Sequence, residues 1–478
     1  MLQLNLSTRS GTNEHHHDSS KKSKLSFELK HTFHSVKSQI PLTHCIWLLI
    51  TIFLQILILF FLIRSSPPSS TQQQLLALKP DCPSGYVYVY NLPSTFNTEF
   101  IEKCNVVDPW NKSHCNVVSN NGFGPRATGL EHVVPKDLTP AWYWTDMYAA
   151  EVIYHNKMLS HKCRTMDPEK ANGFYIPFYA GLDISKYLWF NTAKDRDRKS
   201  ELVLDWLKMQ PTFTRSKGVD HFIMLGRLTW DFRRLTDNDS DWGSSLLQMP
   251  LMKNVFRISV EKHQNDDLEE SVPYPTAFHP RSESDIVQWQ AYIRNYKRSK
   301  LFSFVGSKRE KIKNDFRGVL MDYCKTEENC RAVDCATTVC SDGAPAIMEA
   351  FLDSDFCLQP RGDGLTRRSM FDCMLAGSIP VYFWKGTFKG QYEWHLPWMP
   401  ETYTVYIDHK DVRDSNGTWI LKVLERIHKD KVKEMRETLI NLLPKFVYAQ
   451  SGADLGSLKD AFDITFDRVL TRLKVHRD

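Results

Sequence analysis

Residues 356–383, "FCLQPRGDGLTRRSMFDCMLAGSIPVYF", constrain the fold more than any other part of the chain. An apolar run, a glycine-rich turn, an amphipathic segment and a second apolar run follow one another within 28 residues. This order predicts a strand, a turn, a helix that starts near Thr366 and stops at Gly377, and a second strand. Parallel strands need crossovers of this kind, so the stretch indicates an α/β fold.

The same alternation occurs in both halves of the chain. Strand-like runs occupy residues 86–93, 173–180 and 221–226 in the first half, and 300–306, 356–359 and 379–383 in the second. Helical patterns occupy residues 144–159 and 309–324. We therefore expect two α/β domains with largely parallel sheets, over residues 81–295 and 296–478, joined partly by the proline-rich, extended segment 270–280.

An apolar segment precedes the body. Residues 46–63 are 18 residues without a charge, which predicts a transmembrane helix. A cleavable signal peptide is the alternative, but its polar leader would be long and no small-residue cleavage site follows. Six Lys or Arg residues precede the segment and only Arg64 follows it before Lys79. These flanks predict a cytosolic tail over residues 1–45, a stem rich in Pro, Ser and Gln over residues 64–80, and a lumenal body.

The charge beyond the tail is nearly balanced. Residues 46–478 carry 55 Lys and Arg against 53 Asp and Glu, so a nucleic-acid partner is not indicated. Asn111, Asn238 and Asn416 begin Asn-x-Ser/Thr sequons and would accept N-glycans in a lumenal body.

The cysteines predict an oxidising compartment. Ten of the eleven follow the apolar segment, and an even number there favours disulfides, although their connectivity cannot be read from the sequence. Zinc is the alternative for the cluster Cys324, Cys330, Cys335 and Cys340. That cluster lacks the Cys-x2-Cys pairs of zinc ribbons, so disulfides are favoured.

Adjacent arginines give the opening stretch a chemical interpretation. Arg367 and Arg368 fall at the start of the predicted helix, where cations oppose the helix dipole unless an anion such as a diphosphate binds there. Asp372 lies one turn further along and could accept ribose hydroxyls. An i, i+4 ion pair between Arg368 and Asp372, with Gly362 and Gly364 in a simple tight turn, explains the same residues, and both readings stay open.

A second group of candidate phosphate-binding residues follows an earlier predicted strand. Gly306, Lys308 and Arg309 come directly after the run at residues 300–306, where they could add positive charge to a phosphate site or form an exposed basic turn.

Residues 356–383 also resemble the signature of the plant exostosin-like glycosyltransferases, in particular the xyloglucan galactosyltransferase group. Further segments occur in the family's order: "VYVYNLP", "WTDMYAAEVIYHNKML", "GFYIPFYAGLD", "DHFIMLGRLTWDFRR", "SFVGSKR" and "YEWHLP". The resemblance implies a GT-B architecture, in which two Rossmann-like domains face a cleft. The N-terminal domain would hold the acceptor and the C-terminal domain the sugar nucleotide, with the last helix packing back on the first domain.

The resemblance also implies a function. A single-pass type II enzyme of the Golgi membrane would transfer galactose, with inversion, from UDP-galactose to xylosyl side chains of xyloglucan. It would need no tightly bound cofactor and no metal, and other Golgi glycosyltransferases are candidate partners. The sequence departs from the family's pattern around Arg361, around residues 364–365 and around residues 306–309. These departures leave the donor open, with UDP-galacturonate as the alternative and Arg361 as the added cation.

Candidate site residues follow from the motifs and the resemblance. Inversion needs a base for the acceptor hydroxyl and positive charge for the leaving diphosphate. The candidate bases are Asp146, His155, Asp220, His221 and Asp231. The predicted donor-binding residues are Gly306, Lys308, Arg309, Arg361, Gly362, Asp363, Thr366, Arg367, Arg368, Ser369 and Asp372.

Two rival functions are less favoured. A metal-dependent GT-A transferase could use Asp353-Ser-Asp355, but this triplet precedes a strand instead of following one. A non-catalytic carbohydrate-binding protein could use the many aromatic residues, but it has no need of adjacent arginines at a helix start.

Overall fold

The computed structural model describes residues 42–65, 82–104, 115, 118–187, 192–340 and 344–477. The chain divides into two compact units, residues 1–79 and 80–478. In the first unit, helix α1 spans Leu42–Ser65 and contains the segment predicted to cross the membrane. Among the described residues, no helix is both long enough and apolar enough to cross a membrane.

The first half of the second unit forms a six-stranded sheet. Its strands are β1 (Val87–Val89), β2 (Arg164–Thr165), β3 (Gly173–Ile176), β4 (His221–Leu225), β5 (Phe256–Ser259) and β6 (Glu269–Ser271). Their order is β2-β1-β3-β4-β5-β6, and every pairing is parallel. The helices of this half are α2 (Thr98–Glu102), α3 (Ala150–Ser160), α4 (Ala180–Tyr187), α5 (Ala193–Lys208) and α6 (Pro211–Ser216).

The second half forms a five-stranded sheet. Its strands are β7 (Lys300–Gly306), β8 (Cys330–Asp334), β9 (Ser354–Gln359), β10 (Ile379–Tyr382) and β11 (Val405–Tyr406). They are ordered β11-β10-β9-β7-β8 and are also all parallel. The helices are α7 (Glu283–Asn295), α8 (Phe316–Thr326), α9 (Pro345–Leu352), α10 (Arg368–Leu375), α11 (His409–Asp414), α12 (Thr418–Leu424), α13 (Lys429–Leu442) and α14 (Ala461–Arg477). The prediction of an α/β protein with parallel sheets is confirmed.

Alternation along the strands builds the core. In β4, Phe222 and Met224 join an apolar cluster that continues into the second sheet, whereas Ile223 and Leu225 join a separate cluster under α5 and α6. A strand with apolar side chains on both faces is typical of a parallel sheet covered on both sides.

Three helices begin later than the sequence predicts. The helix predicted from residue 144 begins at Ala150, the one predicted from residue 309 begins at Phe316, and the one predicted near Thr366 begins at Arg368. Asp315 caps α8 because its side chain accepts a hydrogen bond from the Gly318 N–H at 3.0 Å. The residues before all three helices are therefore loops.

The segment 270–280 is extended, as the prolines predict, and it is also buried throughout. At the other end of the chain, α14 returns to the first sheet. An added Cβ at Gly173 of β3 would meet Leu470 and Leu473 of α14, and the Tyr154 hydroxyl donates to Thr465 Oγ1 at 3.0 Å. The last helix thus closes one face of the first sheet.

Five disulfides link the ten cysteines that follow the apolar segment: Cys82–Cys163, Cys104–Cys115, Cys324–Cys330, Cys335–Cys340 and Cys357–Cys373. The expectation of bridges in place of zinc is confirmed. The last bridge ties β9 to α10, the two elements on either side of the glycine-rich turn.

Candidate active site

A cleft of about 450 Å³ lies at the carboxyl ends of strands from both sheets. We call its two sides the first-sheet wall and the second-sheet wall. The first-sheet wall consists of Asp146, Met147, Tyr148, Leu228 and Tyr274. The second-sheet wall consists of Phe304, Val305, Gly306, Arg317, Cys335, Cys340, Ile347, Gln359, Pro360, Asp363, Gly364, Thr366, Arg367, Arg368, Ser369 and Asp372. Clefts of this kind at strand carboxyl ends are where open α/β sheets bind ligands.

The glycine-rich turn is fixed by a carboxylate from the first half of the chain. Glu261 Oε2 accepts hydrogen bonds from the Thr366 N–H and the Thr366 hydroxyl, both at 2.6 Å. A Cβ on Gly364 would collide with the same carboxylate, so glycine is required there by close approach. Glu261 therefore sets the position of the turn, a role for which the sequence offered no signal.

Three arginines meet beside this turn. Arg367 is the N-cap of α10, Arg317 lies in the first turn of α8, and Arg309 forms a 3.3 Å ion pair with Asp363. The pKa of Arg317 falls to about 10 because the side chain is buried and because the positive charges of Arg367 and Arg309 are close. Guanidinium groups that repel one another at two helix starts give this part of the cleft a positive charge that a bound anion can neutralise. Sequence analysis missed Arg317 because it placed this residue inside a longer helix.

Arg368 and Asp372 lie deeper in the cleft. Arg368 Nε donates to Asp372 Oδ2 at 3.2 Å and Arg368 Nη1 donates to the Thr145 carbonyl. The i, i+4 ion pair that the sequence left open is thus formed. Among the described residues, Arg368 Nη2 and Asp372 Oδ1 have no hydrogen-bond partner although both are buried, and burial raises the pKa of Asp372 even though Arg368 opposes the rise. Unpaired buried polar atoms cost about 1–3 kcal/mol each, so a polar ligand group is expected between them.

Of the remaining predicted donor-binding residues, some line the cleft and others lie outside it. Gly306 and Ser369 line the cleft, and the Ser369 hydroxyl donates to Gln359 Oε1 at 2.7 Å. Lys308 and Arg361 are absent from the two walls. Lys308 forms an ion pair with Asp322 on α8, and the Arg361 guanidinium lies 5.3 Å from the centre of the Trp384 ring.

Gly362 is likewise absent from the walls, although its position is sterically restricted. A Cβ at Gly362 would overlap the Arg367 guanidinium. The glycine thus lets the turn approach the arginine that stands at the start of α10.

Of the candidate bases, Asp146 lines the cleft. It lies in the loop before α3, and its Oδ1 accepts a hydrogen bond from the Tyr148 N–H at 2.7 Å. Tyr148 beside it is held by Arg227, whose guanidinium lies 4.4 Å from the centre of the tyrosine ring. Burial raises the pKa of the Tyr148 hydroxyl, so the tyrosine stays neutral at physiological pH.

The other candidate bases lie outside both walls. His221 is buried at the amino end of β4, where it contacts Asp220 Oδ1 at 2.6 Å and the Tyr90 hydroxyl at 2.6 Å. His155 is also buried, and its Nδ1 lies 2.8 Å from the Tyr179 hydroxyl. Both histidines therefore make hydrogen bonds within the interior of the first half, away from the cleft.

Asp231 is close to the cleft but already engaged. It accepts hydrogen bonds from Arg227 Nε at 2.7 Å and from Trp242 Nε1 at 2.6 Å. Its carboxylate is therefore a structural partner of Arg227.

The triplet that suggested a metal-dependent transferase lies at the opposite end of β9. Asp353 accepts hydrogen bonds from the Ser299 N–H and from Arg331, and Asp355 pairs with Arg436. Both carboxylates are engaged in ion pairs at the amino end of the strand, whereas the cleft lies at its carboxyl end.

Two of the three predicted sequons are described and exposed. Asn238 lies in the loop after β4, and Asn416 lies between α11 and α12. Asn111 lies outside the described residues.

The fold and the cleft define a class of protein. A parallel α/β body with a guanidinium cluster at helix starts and a carboxylate on the facing wall fits an enzyme that binds a phosphorylated substrate. Comparison with known proteins refines that class, because the Exostosin GT47 domain matches residues 81–424. The chain belongs to this family and is a glycosyltransferase.

Similar proteins are known from Arabidopsis thaliana. Xyloglucan galactosyltransferase XLT2 is 52% identical over 396 residues, which cover 82% of this chain and 76% of the relative. Xyloglucan galactosyltransferase MUR3 is 40% identical over 393 residues, covering 82% of this chain and 63% of the relative. Xyloglucan-specific galacturonosyltransferase 1 is 35% identical over 395 residues, which cover 82% of this chain and 58% of the relative. The chain thus matches less than two thirds of the length of the last two relatives.

Proposed function

We propose that the protein transfers galactose from UDP-galactose to a xylosyl side chain of xyloglucan. The observation that carries the proposal is the cleft itself, where Arg317 and Arg367 on the second-sheet wall face a carboxylate, Asp146, on the first-sheet wall. Arg309 lies beside the second-sheet wall, paired with Asp363, and adds to the positive charge. The names of the galactosyltransferase relatives supply the sugar and the acceptor. The arrangement is of the GT-B kind, with residues 81–295 as the acceptor-side domain and 296–478 as the nucleotide-sugar domain.

The second-sheet wall holds the donor. Arg367, Arg317 and Arg309 bind the diphosphate together with the free N–H groups at the start of α10. As the bond between the sugar and UDP breaks, negative charge grows on the departing phosphate oxygen, and these cations stabilise it. Asp372 Oδ1 and Arg368 Nη2, buried without protein partners, hydrogen-bond the nucleoside.

The first-sheet wall activates the acceptor. Asp146 takes the proton from the acceptor hydroxyl while that oxygen attacks the anomeric carbon from the face opposite UDP. One C–O bond forms, the bond to UDP breaks with its electron pair leaving on the phosphate oxygen, and the anomeric configuration inverts. Asp146 is bound on one side by the Tyr148 N–H, which orients its carboxylate.

The alternative donor is UDP-galacturonate. A relative named as a galacturonosyltransferase keeps this alternative open. Its sugar carboxylate requires one more cation, and Arg361, stacked near Trp384 beside the glycine-rich turn, is the residue we assign to it.

The cellular setting is part of the same proposal. We place the body in the Golgi lumen, anchored through residues 46–63 as a type II protein and associated with other Golgi glycosyltransferases. No metal and no tightly bound cofactor take part in the proposed reaction. Retained transfer in EDTA would agree with this, and a loss that only manganese restores would contradict it.

Product analysis tests the central proposal. The purified full-length chain is incubated with xylosylated xyloglucan oligosaccharides and, separately, UDP-galactose, UDP-galacturonate or UDP-glucose. We expect a galactosylated product of inverted configuration from UDP-galactose, and no product from an Arg367→Ala, Arg368→Ala double variant that remains folded. A preference for UDP-galacturonate would replace the donor, and the absence of product with every donor would overturn the proposal.

A further inference from the structure

A pair of tryptophans lies beside the first-sheet wall, outside the cleft. Trp230 follows β4 by a few residues, its side chain is 37% exposed, and its ring centre lies 5.6 Å from that of Trp242. We call these two residues the tryptophan pair. A single exposed apolar side chain is ordinary, but two large rings side by side next to a cleft form an apolar surface that can contact a ligand.

Contacts connect the pair to the cleft. Leu228, which lines the cleft, is two residues from Trp230. Trp242 Nε1 donates to Asp231 Oδ1 at 2.6 Å, Asp231 Oδ2 accepts from Arg227 at 2.7 Å, and Arg227 lies over the ring of Tyr148. The pair is thus continuous with the wall that carries Asp146.

The loop that presents the pair is held in place. Arg234 is buried and its Nε donates to the Gly243 carbonyl at 3.1 Å, while the Ser244 N–H donates to the Asp231 carbonyl at 2.8 Å. Asp239 Oδ1 accepts from the Ala193 N–H at 2.7 Å, which ties the far end of the loop to α5. A surface fixed in this way binds its ligand without an ordering cost.

The chemistry of the surface selects one kind of ligand. Tryptophan rings present flat, apolar faces with a polar N–H edge, and they stack on the C–H faces of pyranose rings. The carboxylate of Asp237 on the same loop is exposed and offers a partner for hydroxyl groups. An extended glucan, with a flat sugar face at each residue and hydroxyls at its edges, matches both features.

We propose that the tryptophan pair is a binding subsite for the glucan backbone of the acceptor, lying beyond the sugar that receives the transferred group. This inference rests on the proposed function. The side-chain sugar to be modified enters the cleft near Asp146, and the backbone runs outward along the first-sheet wall across Trp230. The subsite therefore favours long acceptors over short ones.

The test compares acceptor lengths in the full-length chain. We expect Trp230→Ala to raise the KM for xyloglucan polymer about five- to tenfold, the effect of losing one stacked ring. The KM for UDP-galactose should not change, and a short xylosylated oligosaccharide should show less than a twofold change. Trp230→Phe keeps a ring and should recover most of the affinity. Trp398→Ala is the matched control, because Trp398 is 87% exposed but belongs to neither wall nor the pair.

A binding measurement separates this inference from the proposed function. Mobility in a native gel that contains xyloglucan reports binding even where no sugar is transferred. Retardation of the wild type that Trp230→Ala loses, without galactosyl transfer, would support the subsite and overturn the proposed function. Transfer with the same polymer KM in Trp230→Ala and Trp398→Ala would overturn the subsite alone.

Discussion

The two walls of the cleft differ in what they offer a ligand. The second-sheet wall contains Arg317 in α8 and Arg367 before α10, and Arg309 after β7 adds positive charge beside it through its pair with Asp363. The first-sheet wall carries one carboxylate, Asp146, among aromatic and aliphatic side chains. The difference follows the chemistry of transfer, since one substrate leaves as a diphosphate and the other is a neutral sugar that must lose a proton.

The walls also differ in which half of the chain holds their residues in place. The glycine-rich turn of the second-sheet wall depends on Glu261 from the other half of the chain. Asp146 and Tyr148 are held mainly by contacts within the first half, although Arg368 of the second half donates to the carbonyl of Thr145, the residue before Asp146. Donor binding is therefore more sensitive than the position of the base to how the halves meet.

The largest effect is expected from the first-sheet wall. Asp146→Asn keeps the oxygen that accepts from the Tyr148 N–H but removes the base, so kcat should fall by about 10²–10⁴. UDP affinity, measured by calorimetry, should stay within about twofold because the second-sheet wall is untouched. Asp205→Asn, at an exposed position on α5 that belongs to neither wall, is the control for loss of a carboxylate. A variant at Asp146 with more than a tenth of wild-type kcat would remove this residue from the mechanism.

A smaller effect is expected from a variant of the second-sheet wall, and it should appear in UDP affinity instead of kcat. Arg367→Ala should weaken UDP binding about 10- to 100-fold, because a charge-assisted hydrogen bond is lost. Arg367→Lys should recover part of that loss, since a point charge remains without the guanidinium fork.

The control for this second variant is Arg361→Ala. Arg361 is stacked on Trp384 and lies outside both walls, so its loss should change UDP affinity by less than about threefold. Equal losses at Arg361 and Arg367 would mean that the diphosphate lies elsewhere.

The smallest effect is expected on the stability of the fold at acidic pH. His279 lies beneath the first-sheet wall, with Nδ1 2.7 Å from the Tyr448 carbonyl and Nε2 2.8 Å from the Thr145 hydroxyl. Burial lowers its pKa to about 3, so the unfolded chain takes up a proton at a pH where the folded chain does not. Its contribution to stability is complete above about pH 6.5 and is lost as the pH falls toward 3, by about 2 kcal/mol at pH 5.

Urea unfolding between pH 5 and pH 7 measures how the contribution of His279 to stability depends on pH. His279→Gln should flatten the dependence of the free energy of unfolding on pH, although it lowers stability at pH 7. His428, whose side chain is 80% exposed, is the matched control, and His428→Gln should leave the slope unchanged. An unchanged slope in both variants would show that other groups carry the acid sensitivity.

The sequence predicts the fold well because its signals are periodic. Strand runs such as residues 300–306 and 173–180 alternate or stay apolar over a strand length, and those strands are present as β7 and β3. Short edge strands such as β2, with two residues, leave no such signal.

The site is less predictable because it depends on where helices begin. The helical pattern that includes Arg317 extends upstream to Arg309, so the periodicity hides the turn that puts Arg317 at a helix start. Glu261 acts on a turn 105 residues away, and no local pattern encodes a contact of that length. The sequence does identify the residues at the predicted turn, including Arg367 and Thr366, because strand, turn and helix are adjacent in the sequence.

The return of α14 to the first sheet has a consequence for biosynthesis. The ribosome makes β1, β3 and β4 early, but Gly173 of β3 meets its partners Leu470 and Leu473 only after residues 461–477 have been translated. Until then one apolar face of the first sheet is uncovered, and exposed apolar surface of this kind favours aggregation. A truncation before Ala461 would therefore damage the half of the protein that is synthesised earlier.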